Sequence, residues 1–376
     1  MIYLDFAATT PVSAPVQEKM AKVLAEDFGN PSSPHALGMD AGKIVETARN
    51  ELFRAVGLEN THRCIFTSGG SEGNSQVLLN LLSAKDRGGN IVVSAVEHNS
   101  IRSLLPRLSR LGIEVREVAP ATDGTLPPEA VVARTDSDTR LVSFMTVNNE
   151  TGFVFDAASI VREIRNRYPR TKLHTDHVQG FMKITVDLQE MDFITVSAHK
   201  IYGPKGVGAL FVKKNQALYA LIGGSQESGL RGGTHNVPGI AGFGEAVHLF
   251  RGRESDNLEH VSRLRFSFLE MISEKLGHAR VIEGKYNSPY ILALTVPGIK
   301  SEVVVRMLSE KGIFISAGSA CSSRSKLRNQ TAEVLGLNPD EYLRISFSHS
   351  LAVGDVEEAA DTIADTCTEF LRMMGK

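Results

Sequence analysis

The stretch FITVSAHKIYGPKGVGALFV, residues 193–212, decides the fold of this chain. It opens with a strand-forming run, residues 193–197, and closes with a second apolar run, residues 207–212. The glycines and proline between the two runs are typical of a turn, so Lys200 is predicted to lie just beyond a strand end. Strand ends are where α/β sheets bind ligands. A lysine there that loses its proton can form a Schiff base with an aldehyde cofactor, although an isolated loop lysine is more often simply solvated.

Short apolar runs of the same kind recur through the first 250 residues. Several are apolar at consecutive positions, which is typical of strands covered on both faces. Further strands are predicted at residues 63–67, 90–94, 114–118, 141–146 and 172–176. Helices are predicted between them at residues 72–83, 100–111 and 157–167. This alternation predicts an α/β fold, a mostly parallel central sheet wrapped by helices.

The pattern changes after about residue 250. A long charged helix (253–276) is followed by a strand (290–296), a helix (302–311), an apolar run (313–316), a strand (342–346) and a closing helix (356–373). We therefore predict a large cofactor-binding α/β domain, residues 14–255, and a smaller α+β domain formed by residues 1–13 and 256–376. The glycine-rich stretch 223–239 is a candidate long loop, and long loops in compact domains tend to be functional.

Composition limits the class of protein. Hydrophobic residues make up 42%, charged residues 22% and the formal net charge is -2, so neither a nucleic acid nor a membrane is an expected partner. Residues 1–15 lack the features of a secretory signal, and three cysteines at 64, 321 and 367 suit neither a disulfide framework nor a zinc site. We expect a cytoplasmic protein with reduced thiols.

Asp176 ends the strand that precedes the Lys200 strand. A carboxylate at that position can pair with a pyridine nitrogen and make the ring an electron sink. The alternative is a metal site built from His174, Asp176 and His177. In a strand His177 points away from the other two, and no second cluster completes the site, so no metal is predicted.

The segment TSGGSEGN, residues 67–74, lies between a predicted strand and a predicted helix. Two glycines and a hydroxyl residue at a helix start can cradle a phosphate with backbone N–H groups. The Gly-Lys-Ser/Thr ending of a Walker loop is absent. The same segment is also compatible with an ordinary turn in which Ser71 caps the helix.

Taken together, these motifs resemble the class V aminotransferase family and, within it, the cysteine desulfurases. The similarity extends along nearly the whole chain and follows the family's order of motifs. The matching segments are LDFAATT (4–10), GNPSS (29–33), TSGGSEGN (67–74), VEHN (96–99), DHVQ (176–179) and SAHK (197–200). The resemblance implies the aminotransferase-like fold (fold type I) and pyridoxal 5'-phosphate as the cofactor.

The resemblance also implies a role for each matching residue. Lys200 would bind the cofactor covalently and move the α-proton, and Asp176 would pair with the pyridine nitrogen. Gln179 would contact the phenolic oxygen, and His98 would stack on the ring. The phosphate would be bound by Gly70, Ser71, Ser197, His199 and, from the partner subunit of a homodimer, Thr234. Asn149 and Arg344 would bind the carboxylate of L-cysteine, a task that suits the fork of a guanidinium.

Cys321 distinguishes a desulfurase from an aminotransferase. It lies among small polar residues, followed by Arg324, Lys326 and Arg328, cations that can favour the reactive thiolate. The resemblance implies that Cys321 receives the sulfur of cysteine as a persulfide and passes it to an acceptor or scaffold protein, as in iron–sulfur cluster assembly. Cys64 and Cys367 lie in apolar patterns and are predicted to be buried core residues.

Some positions depart from the family's usual residues. Phe6 stands where Asn or His is frequent, Ser71 where threonine is usual and Gly73 where serine is usual. His177 replaces a small residue, Met182 a glycine and His235 a commonly acidic residue. Two alternatives stay open: an aminotransferase or a C–S or C–Se lyase with the same cofactor, which does not need Cys321, and a non-catalytic desulfurase-like partner protein.

Overall fold

The computed structural model describes residues 1–82, 88–317 and 330–375. Cys321 and the three cations after it therefore lie outside the described residues. The strands are β1 Ile2–Tyr3, β2 His62–Thr67, β3 Asn90–Ser94, β4 Glu114–Val118, β5 Thr139–Met145, β6 Lys172–Asp176, β7 Phe193–Ser197, β8 Gly208–Lys213, β9 Arg280–Ile282, β10 Ile291–Thr295, β11 Ile313–Phe314, β12 Ser316–Ala317 and β13 Tyr342–Ser346.

Seven of these strands form the central sheet, in the order β2-β8-β7-β6-β5-β3-β4. The pairs from β7 to β4 are parallel, whereas β8 runs antiparallel to both β7 and β2. All residues of β3 and β7 are buried, as expected for strands that are covered on both faces. The predicted α/β fold with a mostly parallel sheet is confirmed.

The helices are α1 Ala14–Glu26, α2 Ala36–Val56, α3 Gly70–Asn80, α4 Asn99–Arg102, α5 Leu105–Arg110, α6 Pro128–Arg134, α7 Ala157–Arg167, α8 Val237–Phe250, α9 Glu254–Lys275, α10 Ser301–Glu310, α11 Gln330–Val334 and α12 Val353–Met373. The single helix predicted at residues 100–111 is wrong, since α4 and α5 occupy that span. Pro106 lacks the N–H that would continue the helical hydrogen bonds, so it starts a new helix instead. The predicted loop 223–239 ends early, because α8 begins at Val237.

A second sheet lies in the C-terminal part of the chain. It has the order β12-β13-β10-β9, and all its pairs are antiparallel. Beside it, β1 pairs in parallel with β11, so the N-terminal residues join an element more than 300 positions away. The apolar core around this sheet includes Leu4, which is fully buried. This packing supports our division into residues 14–255 and residues 1–13 with 256–376, which stays a prediction.

No helix in the described parts of the chain combines the length and the apolar character needed to cross a membrane.

Gly208, the first residue of β8, packs against the backbone of β7 and of the turn before α3. A Cβ at this position would lie 2.7 Å from the carbonyl oxygen of Val196 and 2.8 Å from the Cα of Gly69. We expect Gly208→Ala to lower the free energy of unfolding by about 2 kcal/mol or more, because backbone atoms on both sides must move. Thermal and urea unfolding measure the loss.

Gly354→Ala is the matched control, because a Cβ there meets no atom within 4 Å. It should leave stability unchanged or raise it slightly, since alanine favours the helix. Equal stability of the two variants would contradict the close packing of Gly208.

Candidate functional site

Two neighbouring strand ends bring Asp176 and Lys200 to the same edge of the central sheet. Asp176 is the last residue of β6 and pairs with Thr195 of the parallel strand β7. A short 3-10 turn, Ala198–Lys200, follows β7 directly. The site is built on this edge.

The N-terminal segment, residues 5–10, passes over the strand ends and holds the lysine. Lys200 Nζ donates to the carbonyl oxygen of Ala7 at 2.5 Å and to that of Ala8 at 2.8 Å. Gln179 Nε2 donates to the same Ala7 oxygen at 2.9 Å. One backbone carbonyl thus fixes the positions of two predicted site residues.

His199, next to the lysine, is tied to the same segment. Its Nδ1 lies 3.2 Å from Thr9 Oγ1, and its backbone oxygen accepts from the Thr10 N–H at 2.9 Å. Burial, reinforced by the charge of Lys200, lowers the pKa of His199 to about 3. The imidazole is therefore neutral at physiological pH, so one ring nitrogen donates a hydrogen bond and the other accepts one.

A chain of hydrogen bonds links Asp176 to His98. Asn74 Nδ2 donates to Asp176 Oδ2 at 2.7 Å and to Ser100 Oγ at 2.9 Å, and Ser100 Oγ lies 2.9 Å from His98 Nδ1. The other Asp176 oxygen accepts from the Val178 N–H at 3.0 Å. Both oxygens of the Asp176 carboxylate therefore have a hydrogen-bond donor.

Asn74 is a hydrogen-bond partner of a predicted site residue that the sequence alone does not single out. It is the last residue of the quoted segment 67–74, and it lies on α3, more than one turn after Gly70. Its side chain is buried, and its partner Asp176 is 102 positions away in the sequence. A buried asparagine on a helix that begins at a ligand-binding turn was the available signal.

His98 caps the short helix α4 and lines the open side of the site. Its Nδ1 accepts from the Ser100 N–H at 3.1 Å. The ring is reached by solvent but closely surrounded by protein atoms, and this desolvation lowers its pKa. The carboxylate of Asp176 opposes the shift and the Lys200 ammonium adds to it, so both lie within electrostatic range of the ring.

The turn before α3 has the geometry of an anion cradle. Gly69 adopts φ +152, a backbone conformation that residues with a side chain rarely adopt, and Gly70 is the first of the eleven residues of α3. Behind the turn, Ser197 Oγ is buried and has no hydrogen-bond partner among the described residues. Ser71 is exposed in the first turn of α3.

Arg344 and Asn149 meet at a carboxylate of the protein itself. Glu150 Oε1 accepts from Arg344 NH1 at 3.1 Å and from Asn149 Nδ2 at 2.9 Å. Arg344 NH2 donates to Asp5 Oδ1 at 2.9 Å. Neither Glu150 nor Asp5 is singled out by the sequence, although Asp5 lies in the matching segment 4–10 and Glu150 directly follows Asn149.

Thr234 and Cys321 are not brought into this cluster. Thr234 is exposed on a loop that an ion pair between Arg231 and Glu72, 3.0 Å long, ties to the first turn of α3. In the described ranges no hydrogen bond joins Thr234 to another predicted site residue. Cys321 lies outside the described residues, so its role stays a prediction.

Some departures from the family pattern are matched by neighbouring residues. A side chain at Gly73 would collide with Thr195, since its Cβ would lie 2.9 Å from Thr195 Cγ2. The serine usual in the family would therefore force Thr195 to move. His177 hydrogen-bonds Thr146 Oγ1 at 2.8 Å and fills the space that a Cβ on Gly180 would need.

Other departures are accommodated by backbone conformation or by a charge. Met182 adopts φ +61, the conformation that explains the glycine usual at this position. His235 Nε2 lies 2.8 Å from Oε1 of the buried Glu227, which also pairs with Arg49. Phe6 packs its ring edge against Tyr3, with the ring centroids 4.9 Å apart.

Lys183, next to Met182, is a second buried lysine at the site. Its Nζ lies 5.5 Å from the ring centroid of Tyr290. Burial, with a contribution from the charge of Lys200, lowers its pKa to about 7. Its ammonium is therefore half-neutralised near physiological pH, which limits the positive charge next to Lys200.

The histidines of β6 and the turn after it have protein partners. His174 lies 2.8 Å from Ser143 Oγ through Nδ1 and 3.1 Å from Thr195 Oγ1 through Nε2. Within the described ranges, no group of three or more His, Cys, Asp or Glu is placed to hold a metal ion. Cys64 and Cys367 are buried, which raises the pKa of each thiol to about 12.

His177 should make the stability of the protein depend on pH. Burial lowers its pKa to about 3 in the folded state, against about 6.5 when unfolded. The neutral His177 contributes fully to the free energy of unfolding above pH 6.5. This contribution is lost as the pH falls toward 3, because the unfolded chain binds the proton at a higher pH than the folded chain does. We expect His177→Gln to reduce the stability difference between pH 7 and pH 5 by about 2 kcal/mol.

Urea unfolding at the two pH values measures this difference. His278→Gln, at an exposed position, is the control and should behave as wild type. An unchanged difference in the His177 variant would show that its imidazole is not held neutral.

Comparison with known proteins identifies relatives along the whole chain. The aminotransferase class-V family matches residues 2–358. A cysteine desulfurase IscS of Dictyoglomus turgidum is 35% identical over 329 residues, covering 86% of this chain and 83% of the relative. A cysteine desulfurase of Bradyrhizobium diazoefficiens is 33% identical over 376 residues, covering 98% and 95%.

Solved structures give the same result. A NifS-like protein superposes with a TM-score of 0.90 at 29% identity, covering 98% of this chain and 99% of the other. The protein SspA, solved in complex with cysteine, superposes with a TM-score of 0.81 at 30% identity, covering 93% and 99%.

Proposed function

Because the chain belongs to the class V aminotransferase family and, within it, to the cysteine desulfurases, we propose that it removes sulfur from L-cysteine with pyridoxal 5'-phosphate. The products are L-alanine and a persulfide on Cys321. The observation that carries this proposal is the cluster of Lys200, Gln179 and Asp176 on one sheet edge. Lys200 and Gln179 share the Ala7 carbonyl, and Asp176 keeps two donors on its carboxylate.

The residues present fit this cofactor. Ser197 Oγ and Gln179 Oε1 are buried polar atoms without a partner among the described residues, and a bound ligand would satisfy both. At the start of α3, after Gly69, no side chain of the described residues caps the helix, so the N–H groups of its first turn suit a phosphate. The carboxylate of Asp176 suits a protonated pyridine nitrogen.

Pyridoxal phosphate, when bound, supplies an electron-withdrawing ring that stabilises negative charge on the α-carbon of the substrate. Asp176, whose carboxylate accepts from Asn74 and from the Val178 N–H, would hold the proton on the ring nitrogen. His98 would stack on the ring and Gln179 would contact the phenolic oxygen. The phosphate would be bound by Gly70, Ser71, Ser197, His199 and the Thr234 of a partner subunit.

Lys200 has two tasks. Its amine would hold the cofactor covalently and would move the α-proton of the substrate. The carbonyl oxygens of Ala7 and Ala8 hold the amine at the strand end. Arg344 and Asn149 bind the substrate carboxylate and so fix the α-carbon beside this amine.

Cys321 completes the reaction. Its thiolate attacks the sulfur of the substrate, the electrons of the carbon–sulfur bond return to the carbon, and protonation of that carbon gives alanine. The sulfur remains on Cys321 as a persulfide and passes to an acceptor protein, such as a scaffold for iron–sulfur cluster assembly. The working unit is a cytoplasmic homodimer.

Replacement of the lysine tests the cofactor chemistry. Lys200→Ala should abolish alanine formation while the protein stays folded, because a methyl group can neither attach to an aldehyde nor carry a proton. Borohydride reduction followed by peptide mass spectrometry should locate the cofactor on residue 200 in wild type and lose it in the variant. Lys205→Ala, at an exposed position, should retain both signals. A reduced adduct on another peptide would show that Lys200 is not the attachment site.

Replacement of the cysteines tests sulfur transfer. Cys321→Ser should lose alanine and persulfide formation while still binding cofactor and cysteine, because a hydroxyl cannot hold sulfur as a thiolate does. Cys64→Ser and Cys367→Ser are controls, since both residues are buried and should affect stability alone. Alkylation after incubation with cysteine, followed by mass spectrometry, detects the added sulfur atom. Alanine formation by the Cys321 variant at the wild-type rate, or pyruvate in place of alanine, would favour the aminotransferase or lyase alternative.

A further inference from the structure

The site predicted to bind the substrate carboxylate already holds a carboxylate of the chain itself. Both predicted binders, Asn149 and Arg344, donate to a single oxygen, Glu150 Oε1, at 2.9 and 3.1 Å. Resting on the proposed function of Arg344 and Asn149, we infer that Glu150 is a placeholder for the substrate carboxylate. When the substrate binds, the Glu150 carboxylate gives up its hydrogen bonds from Asn149 and Arg344 and takes up one proton from solvent.

Arg344 leaves an incoming carboxylate little other room. Its side chain is 5% exposed, NH1 contacts Glu150, and NH2 contacts Asp5 at 2.9 Å. Its Nε is buried and has no hydrogen-bond partner in the described part of the chain. A carboxylate that binds end-on to NH1 and NH2 therefore has to displace one of the two resident carboxylates.

Glu150 is the carboxylate that yields. Its Oε1 sits on both substrate-binding donors, whereas Asp5 contacts the guanidinium from the N-terminal segment that orders the site. Asp5 also bridges to Ser346 of β13 through its backbone, which fixes it in place. Glu150 lies in the turn between β5 and α7, and its side chain is tied only to Asn149 and Arg344 among the hydrogen bonds of the described residues.

Charge explains the proton. Among the described residues, the ion-paired cluster consists of one cation, Arg344, and two carboxylates, with Lys200 acting on Glu150 without a hydrogen bond to it. The side chains of Arg344, Asp5 and Glu150 are 5%, 21% and 14% exposed. A third carboxylate would leave two uncompensated negative charges in a poorly solvated site. Protonation of Glu150 restores the original net charge.

The groups that face Glu150 agree with this role. Burial raises its pKa and the charge of Asp5 adds to the effect, while Arg344, Lys200 and the Asn149 amide oppose it. The hydroxyl of Tyr342, from β13, donates to the backbone oxygen of Glu150 at 2.7 Å and so leaves the carboxylate untouched. When Arg344 pairs with the substrate carboxylate instead of Glu150, Glu150 loses its main stabilising charge and its carboxylate accepts a proton.

The test uses the cofactor-loaded protein and two ligands that differ by a carboxylate, L-alanine and ethylamine. Affinities are taken from the cofactor absorbance between pH 6 and pH 9, and the protons bound are counted by calorimetry in two buffers. Wild-type affinity for alanine relative to ethylamine should fall by up to about tenfold per pH unit once Glu150 is ionised. Glu150→Gln should remove this decline, bind one proton fewer and hold alanine about tenfold more tightly at the upper end of the range.

Glu18→Gln, an exposed position on α1, should match wild type throughout. Identical alanine-to-ethylamine ratios and proton counts in wild type and Glu150→Gln would overturn the inference, and so would weaker alanine binding by the variant. Because carboxylate binding is measured directly, a protein that fails to desulfurate cysteine would refute the proposed function without deciding this test.

Discussion

The carbonyl oxygen of Ala7 is the contact on which the site depends. It accepts from the ammonium of Lys200 and from the amide of Gln179, two groups that follow different strands of the central sheet. The N–H of the same residue donates to Ser346 Oγ of β13 at 2.9 Å. The backbone of a single residue of the N-terminal segment therefore connects the large sheet to the smaller one.

Hydrogen bonds and burial organise the rest of the site. Asn74 and the Val178 N–H donate to the two oxygens of Asp176. Burial keeps His199 neutral and lowers the pKa of Lys183. The positive charge around Lys200 is thus limited by desolvation of its neighbours.

The departures at Gly73 and His177 are explained by their surroundings. Thr195 fills the space beside Gly73, and His177 fills the space beside Gly180 while bonding to Thr146. Gly73 of α3 faces Thr195 of β7, whereas His177 and Gly180 face each other within the turn after β6. In each case a larger side chain lies against a glycine, which keeps the packing close. The edge that carries Asp176 and Lys200 keeps its geometry although individual side chains have changed.

The sequence by itself determined the strands of the central sheet, the lysine and aspartate at their ends, the glycine turn and the two buried cysteines. These follow from local patterns, because strand periodicity, turn residues and apolar context are written in neighbouring positions. The break between α4 and α5 is a local feature too, because Pro106 cannot donate the hydrogen bond that would continue the helix.

The hydrogen-bond partners of the predicted site residues, in contrast, are determined by the tertiary structure. Asn74 reaches Asp176 across 102 positions, Lys200 reaches Ala7 across 193, and Arg344 reaches Asp5 across 339. Glu150 illustrates the point, since its place between Asn149 and Arg344 depends on a strand that forms near the end of the chain. Such contacts arise from the packing of whole sheets, and no spacing along the sequence specifies them.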